Sequence, residues 1–174
     1  MKLFISAILT IICFSCSDIT KKTDFVEIPF FEIELELSEM AEKILLADEE
    51  SIIVTAYFES YLYNIEENKI KNIPKKYIDE HMGEIHLLYH NIELTDKRLA
   101  RFEHLKIPKY LYDTLEEKNI YVVINVYSGR RSSNLNILDC AVLIGPIGEI
   151  KEKKFTLNGG LISEGIKRNH INLK

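Results

Sequence analysis

The sequence predicts a mainly β protein, an antiparallel β-sandwich of about seven strands with two short helices. Apolar and polar residues alternate in several short segments, which is the pattern of half-buried strands. Turn residues separate these segments, and only two other segments have a helical pattern. The alternative is an open structure in which the helices pack on one antiparallel sheet.

The composition indicates one folded domain that binds proteins or small molecules. The chain has 174 residues, of which 47% are apolar, and it contains nine Tyr and eight Phe. This composition differs from that of disordered chains, so we expect a packed core. The net charge of −5 is spread without a basic block, which excludes a nucleic-acid footprint.

The N-terminal residues have the layout of a secretory signal. Lys2 precedes an apolar run, Leu3–Ile12, which is too short for a transmembrane helix of about 20 residues. Cys13 and Cys16 follow, and the chain then becomes polar. We therefore predict a signal over residues 1–15, a lipidated tether over 16–24, a β-sandwich domain over 25–164 and a C-terminal tail over 165–174.

The stretch Cys13-Phe14-Ser15-Cys16 resembles the lipobox of bacterial lipoproteins, in which a small residue precedes a cysteine that is diacylated and becomes the mature N-terminus. Ser15 and Cys16 match this pattern, whereas Cys13 and Phe14 replace the more usual Leu and small residue. The resemblance implies lipidation at Cys16 and anchoring in the bacterial cell envelope, with the outer membrane favoured. An ordinary cleaved signal that leaves Cys16 as a free thiol is the alternative.

The strands are predicted from alternation and from branched residues. The first has an apolar face and an acidic face, made by Phe31, Ile33, Leu35 and Leu37 and by Glu32, Glu34 and Glu36. Residues 120–127 are apolar on both faces, which is typical of a central strand. The other strands are predicted at 51–61, 83–94, 98–107, 135–144 and 150–157. A helix is the alternative for 98–107, because Leu99, Phe102 and Leu105 also suit one.

Two helices are predicted from their starts. Ser38 is a suitable N-cap, and acids follow it in the first turn of a helix that ends near residue 47. Pro108 opens a second helix over 108–118, because proline is tolerated at the first helical position. Residues 62–82 show no regular period and are predicted to be a long loop, a kind of segment that is often functional.

Two loops contain the candidate partner-binding residues. Arg130 and Arg131 follow the central strand and can present planar donors to carboxylates or phosphates, and a solvated surface loop is the alternative. Tyr61, Tyr63 and Tyr77 lie in or beside residues 62–82 and can form a contact surface, since Tyr is enriched at interfaces. Packing in the core is the alternative for any one of these tyrosines.

No catalytic residues, cofactor or metal site are predicted. Ser132 and Ser133 lack the glycines that frame a nucleophilic serine. His86 and His90 would lie about 13 Å apart on the outward face of a strand, too far for one metal ion. Cys140 lies in an apolar run, so we expect a small buried side chain.

The signal followed by a compact sandwich resembles small bacterial outer-membrane lipoproteins. The strand-helix-strand layout is similar to the transthyretin-like lipoprotein of type VI secretion machines, which implies a transthyretin- or immunoglobulin-like sandwich. We expect a non-enzymatic binding or envelope-assembly lipoprotein whose loops, 62–82 and 128–136, engage a protein partner. An immunity or inhibitor lipoprotein with an acidic face is the first alternative. An envelope-acting enzyme ranks last, because no nucleophile, base or metal set emerges.

Overall fold

The computed structural model describes residues 24–115, 118–165 and 168–173 of the chain. The predicted signal and the predicted lipidation site, Cys16, lie outside these residues. Strand residues outnumber helical residues in the described part, so the prediction of a mainly β protein is confirmed.

Twelve strands lie in the described residues. They are β1 (Phe25–Glu27), β2 (Phe31–Leu37), β3 (Ile52–Tyr61), β4 (Ile78–Asp79), β5 (Glu84–Leu94), β6 (Leu99–Phe102), β7 (Lys106–Pro108), β8 (Tyr121–Ser128), β9 (Leu138–Cys140), β10 (Leu143–Pro146), β11 (Lys154–Leu161) and β12 (Ile171–Asn172). The helices are α1 (Glu39–Ala47), α2 (Glu67–Ile70), α3 (Lys109–Thr114) and α4 (Ile147–Ile150), with short 3-10 helices at Leu62–Asn64, Lys75–Tyr77 and Ile162–Glu164.

The strands form three sheets, and the two larger ones are of mixed direction. The largest has six strands in the order β12-β10-β8-β3-β5-β4, the second has four in the order β6-β2-β11-β9, and β1 pairs with β7. The pairs β2-β11 and β10-β12 are parallel. The prediction of an antiparallel arrangement of about seven strands is therefore corrected: the two larger sheets contain six and four strands, and each includes one parallel pair. Alternation of apolar and polar residues along one segment does not identify the strand that pairs with it. β11 and β12 lie far along the chain from their parallel partners, β2 and β10.

The core is built from the alternating strands that the sequence indicated. In β2, Phe31 and Ile33 are fully buried, whereas Glu32 and Glu34 are partly exposed. Phe31 stacks on Phe102 of β6 at 4.7 Å between ring centroids, and its ring centroid lies 6.3 Å from that of Phe58 of β3. Side chains from both larger sheets therefore contribute to one hydrophobic core.

Both predicted helices are present, as α1 and α3. The Ser38 hydroxyl accepts a hydrogen bond from the Ala41 N–H at 3.1 Å, which confirms Ser38 as the N-cap of α1. The helices α2 and α4 were not predicted, because four residues are too few to show a helical period. Within the described residues, no helix is long and apolar enough to cross a membrane.

Several predicted segments differ in detail from the structure. The predicted strand 98–107 forms β6 and β7, which lie in different sheets, and the predicted strand 150–157 begins only at Lys154, in β11. Residues 135–144 form two strands in different sheets, because the chain leaves the four-stranded sheet after Cys140 and enters the six-stranded sheet at Leu143. The predicted loop 62–82 contains α2, two 3-10 helices and β4. The predicted tail contributes β12, which pairs with β10.

Candidate functional site

The outward side of the six-stranded sheet carries most of the tyrosines. Ile52, Val54, Ala56 and Phe58 of β3 point into the core, so the residues between them point outwards. Their cross-strand partners in β5 and β8 share that side. We call this surface the tyrosine face. Its residues in β3 are Ile53, Thr55, Tyr57, Glu59 and Tyr61. Its residues in β5 are Glu93, Asn91, Tyr89, His86 and Glu84, and those in β8 are Tyr127, Asn125, Val123 and Tyr121.

The middle of the tyrosine face is uncharged and hydrogen-bonded. The rings of Tyr57 and Tyr89 are 4.9 Å apart, and 51% of the Tyr89 surface is exposed. The Asn91 amide donates to the Tyr89 hydroxyl at 2.8 Å. The fully buried Thr55 hydroxyl lies 2.8 Å from Asn91 Oδ1 and 3.1 Å from the Tyr127 hydroxyl. Burial, followed by the neighbouring tyrosines, raises the pKa of Tyr57.

A second group of aromatic rings lies at the end of the tyrosine face where β3 finishes. Tyr61 stacks on Tyr63, with ring centroids 5.3 Å apart and the planes inclined by 14°. The ring of Tyr121 of β8 also lies 5.3 Å from that of Tyr61, inclined by 60°. Tyr63 is 79% exposed, so this group offers aromatic surface to a partner.

Three ionisable side chains converge beside this second group. One ligand atom each of Glu59, Glu84 and His86 can be chosen so that all three lie within 4.8 Å of one another. Glu59 is only 8% exposed, Glu84 is half-buried and His86 is exposed. Burial raises the pKa of Glu59, the Glu84 carboxylate adds to this, and His86 opposes it.

A β-bulge in β5 determines which way the histidines face. Phe58 pairs with Leu88 but Glu59 pairs with His86, so Leu87 is the extra residue in β5. His86 therefore joins the tyrosine face, whereas His90 pairs with Ala56 and its ring lies 6.1 Å from that of Phe102, on the core side. The expectation that both histidines face outwards is wrong, because the bulge reverses the alternation between them.

Arg131 borders the opposite end of the tyrosine face. Its Nε donates to Glu93 Oε1 at 2.9 Å and its NH2 lies 2.7 Å from the same oxygen. Arg130 is exposed, has a φ of 61°, and places its Cζ 6.0 Å from the centre of the Tyr127 ring. The side chain of Arg131 is thus bound within the protein, and Arg130 is the freer of the two.

A buried carboxylate holds the arginine loop in place. Glu50, which is 5% exposed, accepts hydrogen bonds from the backbone N–H of Ser51, Arg131 and Ser132 at 2.9–3.0 Å and from the Ser132 hydroxyl at 2.8 Å. Burial opposes ionisation of Glu50, but these donors outweigh it and lower its pKa. The loop after β8 is therefore an ordered border of the tyrosine face.

The structure does not gather the predicted partner-binding residues at one point. Ile52 pairs with Ser128 at one end of β3 and Tyr61 lies at the other, nine residues on, which is about 30 Å at 3.3 Å per residue. Arg130 and Arg131 thus lie at the opposite end of the sheet from Tyr61 and Tyr63. Tyr77 contacts Tyr110 of α3 instead, with ring centroids 6.5 Å apart.

The acidic side of β2 is paired within its own sheet. Glu32 accepts from Arg101 Nε at 2.8 Å and Glu34 lies 2.8 Å from Lys154 Nζ. Arg101 belongs to β6 and Lys154 to β11, the two neighbours of β2. Glu32 and Glu34 are therefore partly neutralised, whereas Glu36, the third acid on this side, is exposed.

Cys140 is buried as expected. Its side chain is 7% exposed, and burial raises the pKa of its thiol to about 12. A thiol with this pKa is almost entirely protonated at neutral pH and is a poor nucleophile.

Sequence reasoning did not group Glu59, Glu84 and His86. Two local signals were present: a glutamate inside the apolar strand β3, and an acid and a histidine two residues apart at the start of β5. Their convergence depends on strand register and on the bulge, which the local sequence does not specify. Compared with known proteins, the chain matches no family model, and no curated protein or solved structure is significantly similar to it.

Proposed function

We propose that the protein is a lipid-anchored, non-enzymatic binding module of a bacterial cell envelope, and that its tyrosine face binds a protein partner. One observation carries this proposal: six of the nine tyrosines lie on or against one side of one sheet, and two of them are more than half exposed. Tyr is enriched at protein interfaces, because its ring buries apolar area while its hydroxyl remains hydrogen-bonded.

The charge distribution on the tyrosine face supports a protein partner. The middle, around Tyr57, Tyr89 and Asn91, carries no formal charge. Charged groups lie at the two ends, Glu93 with Arg131 at one and Glu59 with Glu84 at the other. An aromatic centre that lacks charge inside a polar rim is the usual composition of a protein-protein interface.

The lipoprotein resemblance of the N-terminal residues supports membrane anchoring at Cys16. The eight residues between Cys16 and Phe25 span at most about 29 Å when extended. A domain tethered in this way stays near its membrane, which suits a module that assembles envelope proteins.

We propose that the two larger sheets are the layers of a β-sandwich. The contact between Phe31 of β2 and Phe58 of β3 supports this arrangement, since it joins the two sheets through their buried sides. In a sandwich the outward side of each sheet is available for binding, as the tyrosine face requires.

The inhibitor alternative receives no separate support. It depended on the acidic face of β2, and the pairing of Glu32 with Arg101 and of Glu34 with Lys154 partly neutralises two of the three acids of that face. A toxin or enzyme as partner remains an outcome that the experiment below would identify.

The proposal is tested by photo-crosslinking in cells with the full chain. A photoreactive amino acid replaces Tyr89 in the middle of the tyrosine face, and the matched control replaces Arg101, an exposed residue of the other sheet. We expect the probe at position 89 to capture a discrete envelope protein and the probe at position 101 not to. Tyr57→Ala in the chain that carries the probe at 89 should reduce the yield.

Anchoring is read in the same cells. We expect the protein in the membrane fraction and Cys16→Ala in the soluble fraction, because two acyl chains are lost. Equal capture from positions 89 and 101 would refute the tyrosine face as the binding surface. A Cys16→Ala variant that stays in the membrane would refute lipidation at this residue.

A further inference from the structure

We propose that Glu59, Glu84 and His86 form a binding site for a divalent first-row transition-metal ion such as Zn²⁺ or Mn²⁺. The inference starts from three ligand atoms within 4.8 Å of one another, supplied by two adjacent strands. It requires neither the membrane anchor nor a protein partner, so it stands apart from the proposed function.

Glu59 is the buried member of this site and has no partner of its own. Only 8% of the Glu59 surface is exposed, and its carboxylate makes no hydrogen bond to any described residue. Burial without a hydrogen bond disfavours the ionised form of a carboxylate. A bound cation would supply the missing counter-charge to Glu59 and to the neighbouring Glu84.

Backbone pairing holds the three side chains in position. Glu59 of β3 lies opposite His86 of β5 across the bulge, and Glu84 follows on the same side of β5 two residues earlier. Ligand atoms at about 2.1 Å from a tetrahedral ion lie about 3.4 Å apart. Rotation of Glu84 and His86, which are not fully buried, would bring the three ligand atoms from within 4.8 Å of one another to this separation.

A third acidic residue, Asp79, lies next to the imidazole. Asp79 Oδ1 accepts hydrogen bonds from the N–H groups of His81 at 2.9 Å and Met82 at 3.1 Å. This leaves Oδ2 at 3.9 Å from His86 Nε2. A carboxylate beside a metal-binding histidine orients the ring and raises its basicity, so Asp79 fits an outer-shell role.

The donor atoms select the class of ion. One imidazole nitrogen and two carboxylates suit Zn²⁺, Mn²⁺ and related ions, whereas Ca²⁺ and Mg²⁺ prefer oxygen ligands alone. Three protein ligands leave at least one coordination position open at the edge of the tyrosine face. A water molecule or an outside side chain would complete the coordination.

The test is isothermal titration calorimetry. A chelator first removes bound metal from the full chain, and Zn²⁺ alone is then added. We expect one saturable site and no saturable binding of Mg²⁺. Outer-shell partners of metal ligands contribute ~10–100-fold in affinity, so Glu59→Gln and His86→Ala should each lower the affinity at least that much. His90→Ala, four residues along the same strand on its core side, is the matched control and should bind as the unchanged protein does.

A second measurement locates the ion without relying on a variant that folds poorly. Paramagnetic Mn²⁺ broadens amide NMR signals near its site, and we expect broadening centred on residues 59, 84 and 86. Absence of saturable Zn²⁺ binding would overturn the proposal. So would unchanged affinity in His86→Ala, whose exposed side chain can be removed without disturbing the core, or broadening centred elsewhere.

Discussion

At the scale of single residues, buried carboxylates have two different roles in this protein. Glu50 has four hydrogen-bond donors and stays ionised, which orders the loop after β8. Glu59 is equally enclosed but has no donor, and its pKa is raised. Both are glutamates in or beside β3, so their environments, and not their residue type, determine their chemistry.

We predict that Glu50→Gln destabilises the fold by about 1–3 kcal/mol at neutral pH, because an amide nitrogen would face a backbone N–H where a carboxylate oxygen now accepts. The measurement is urea unfolding, with the exposed neighbour Glu49→Gln as control.

The lowered pKa of Glu50 also predicts how the stability difference between the unchanged protein and Glu50→Gln depends on pH. The pKa of Glu50 is lower in the folded chain than in the unfolded chain, so its ionised form stabilises the fold above the unfolded pKa. That contribution is lost as the pH falls through the folded pKa. The stability difference between the unchanged protein and Glu50→Gln should therefore shrink in acid, and a constant difference would contradict this account.

At the scale of elements, short strands are fixed by close backbone contacts that local patterns do not show. β12 has two residues, yet the N–H of Ile171 donates to Val142 O and that of Leu173 donates to Ile144 O, both at 2.8 Å. Gly145 of β10 allows this approach, since a Cβ there would lie 2.5 Å from the Leu173 Cβ. Gly145 therefore leaves the space that β12 needs to pair with β10 at the edge of the six-stranded sheet.

We predict that Gly145→Ala displaces β12 and leaves the rest of the sheet intact. The amides of Ile171 and Leu173 should lose protection in hydrogen exchange, because the new methyl group would collide with the Leu173 side chain and push β12 away from β10. Gly148→Ala is the matched control three residues on, where a Cβ would meet no atom within 4 Å. Unchanged protection at both amides in Gly145→Ala would show that β12 adapts.

At the scale of the whole molecule, one core joins the two larger sheets. Phe31 is fully buried, stacks on Phe102 in its own sheet and contacts Phe58 of the other. Its removal would leave a cavity between the sheets and not at an edge.

We predict that Phe31→Ala costs about 3–5 kcal/mol in the free energy of unfolding. Phe25→Ala is the matched control, since Phe25 is 54% exposed in β1, and it should cost much less. Chemical unfolding followed by circular dichroism measures both. Equal costs for the two variants would contradict a core shared by the two sheets.

The local sequence was sufficient for the mainly β character of the fold and for most strands. The alternation in residues 31–37 predicts β2, the branched apolar run 120–127 predicts the central β8, and Ser38 predicts the start of α1. These features depend on residues that are close in sequence, so their signals are complete within one segment. The burial of Cys140 in an apolar run was predictable for the same reason.

The tertiary structure alone decided which distant segments meet. The parallel pairs β2-β11 and β10-β12, the change of sheet after Cys140 and the bulge at Leu87 depend on partners far along the chain. The tyrosine face and the convergence of Glu59, Glu84 and His86 follow from that register. The physical reason is that alternation states which residues share a side of a strand, whereas pairing between strands determines which sides become one surface.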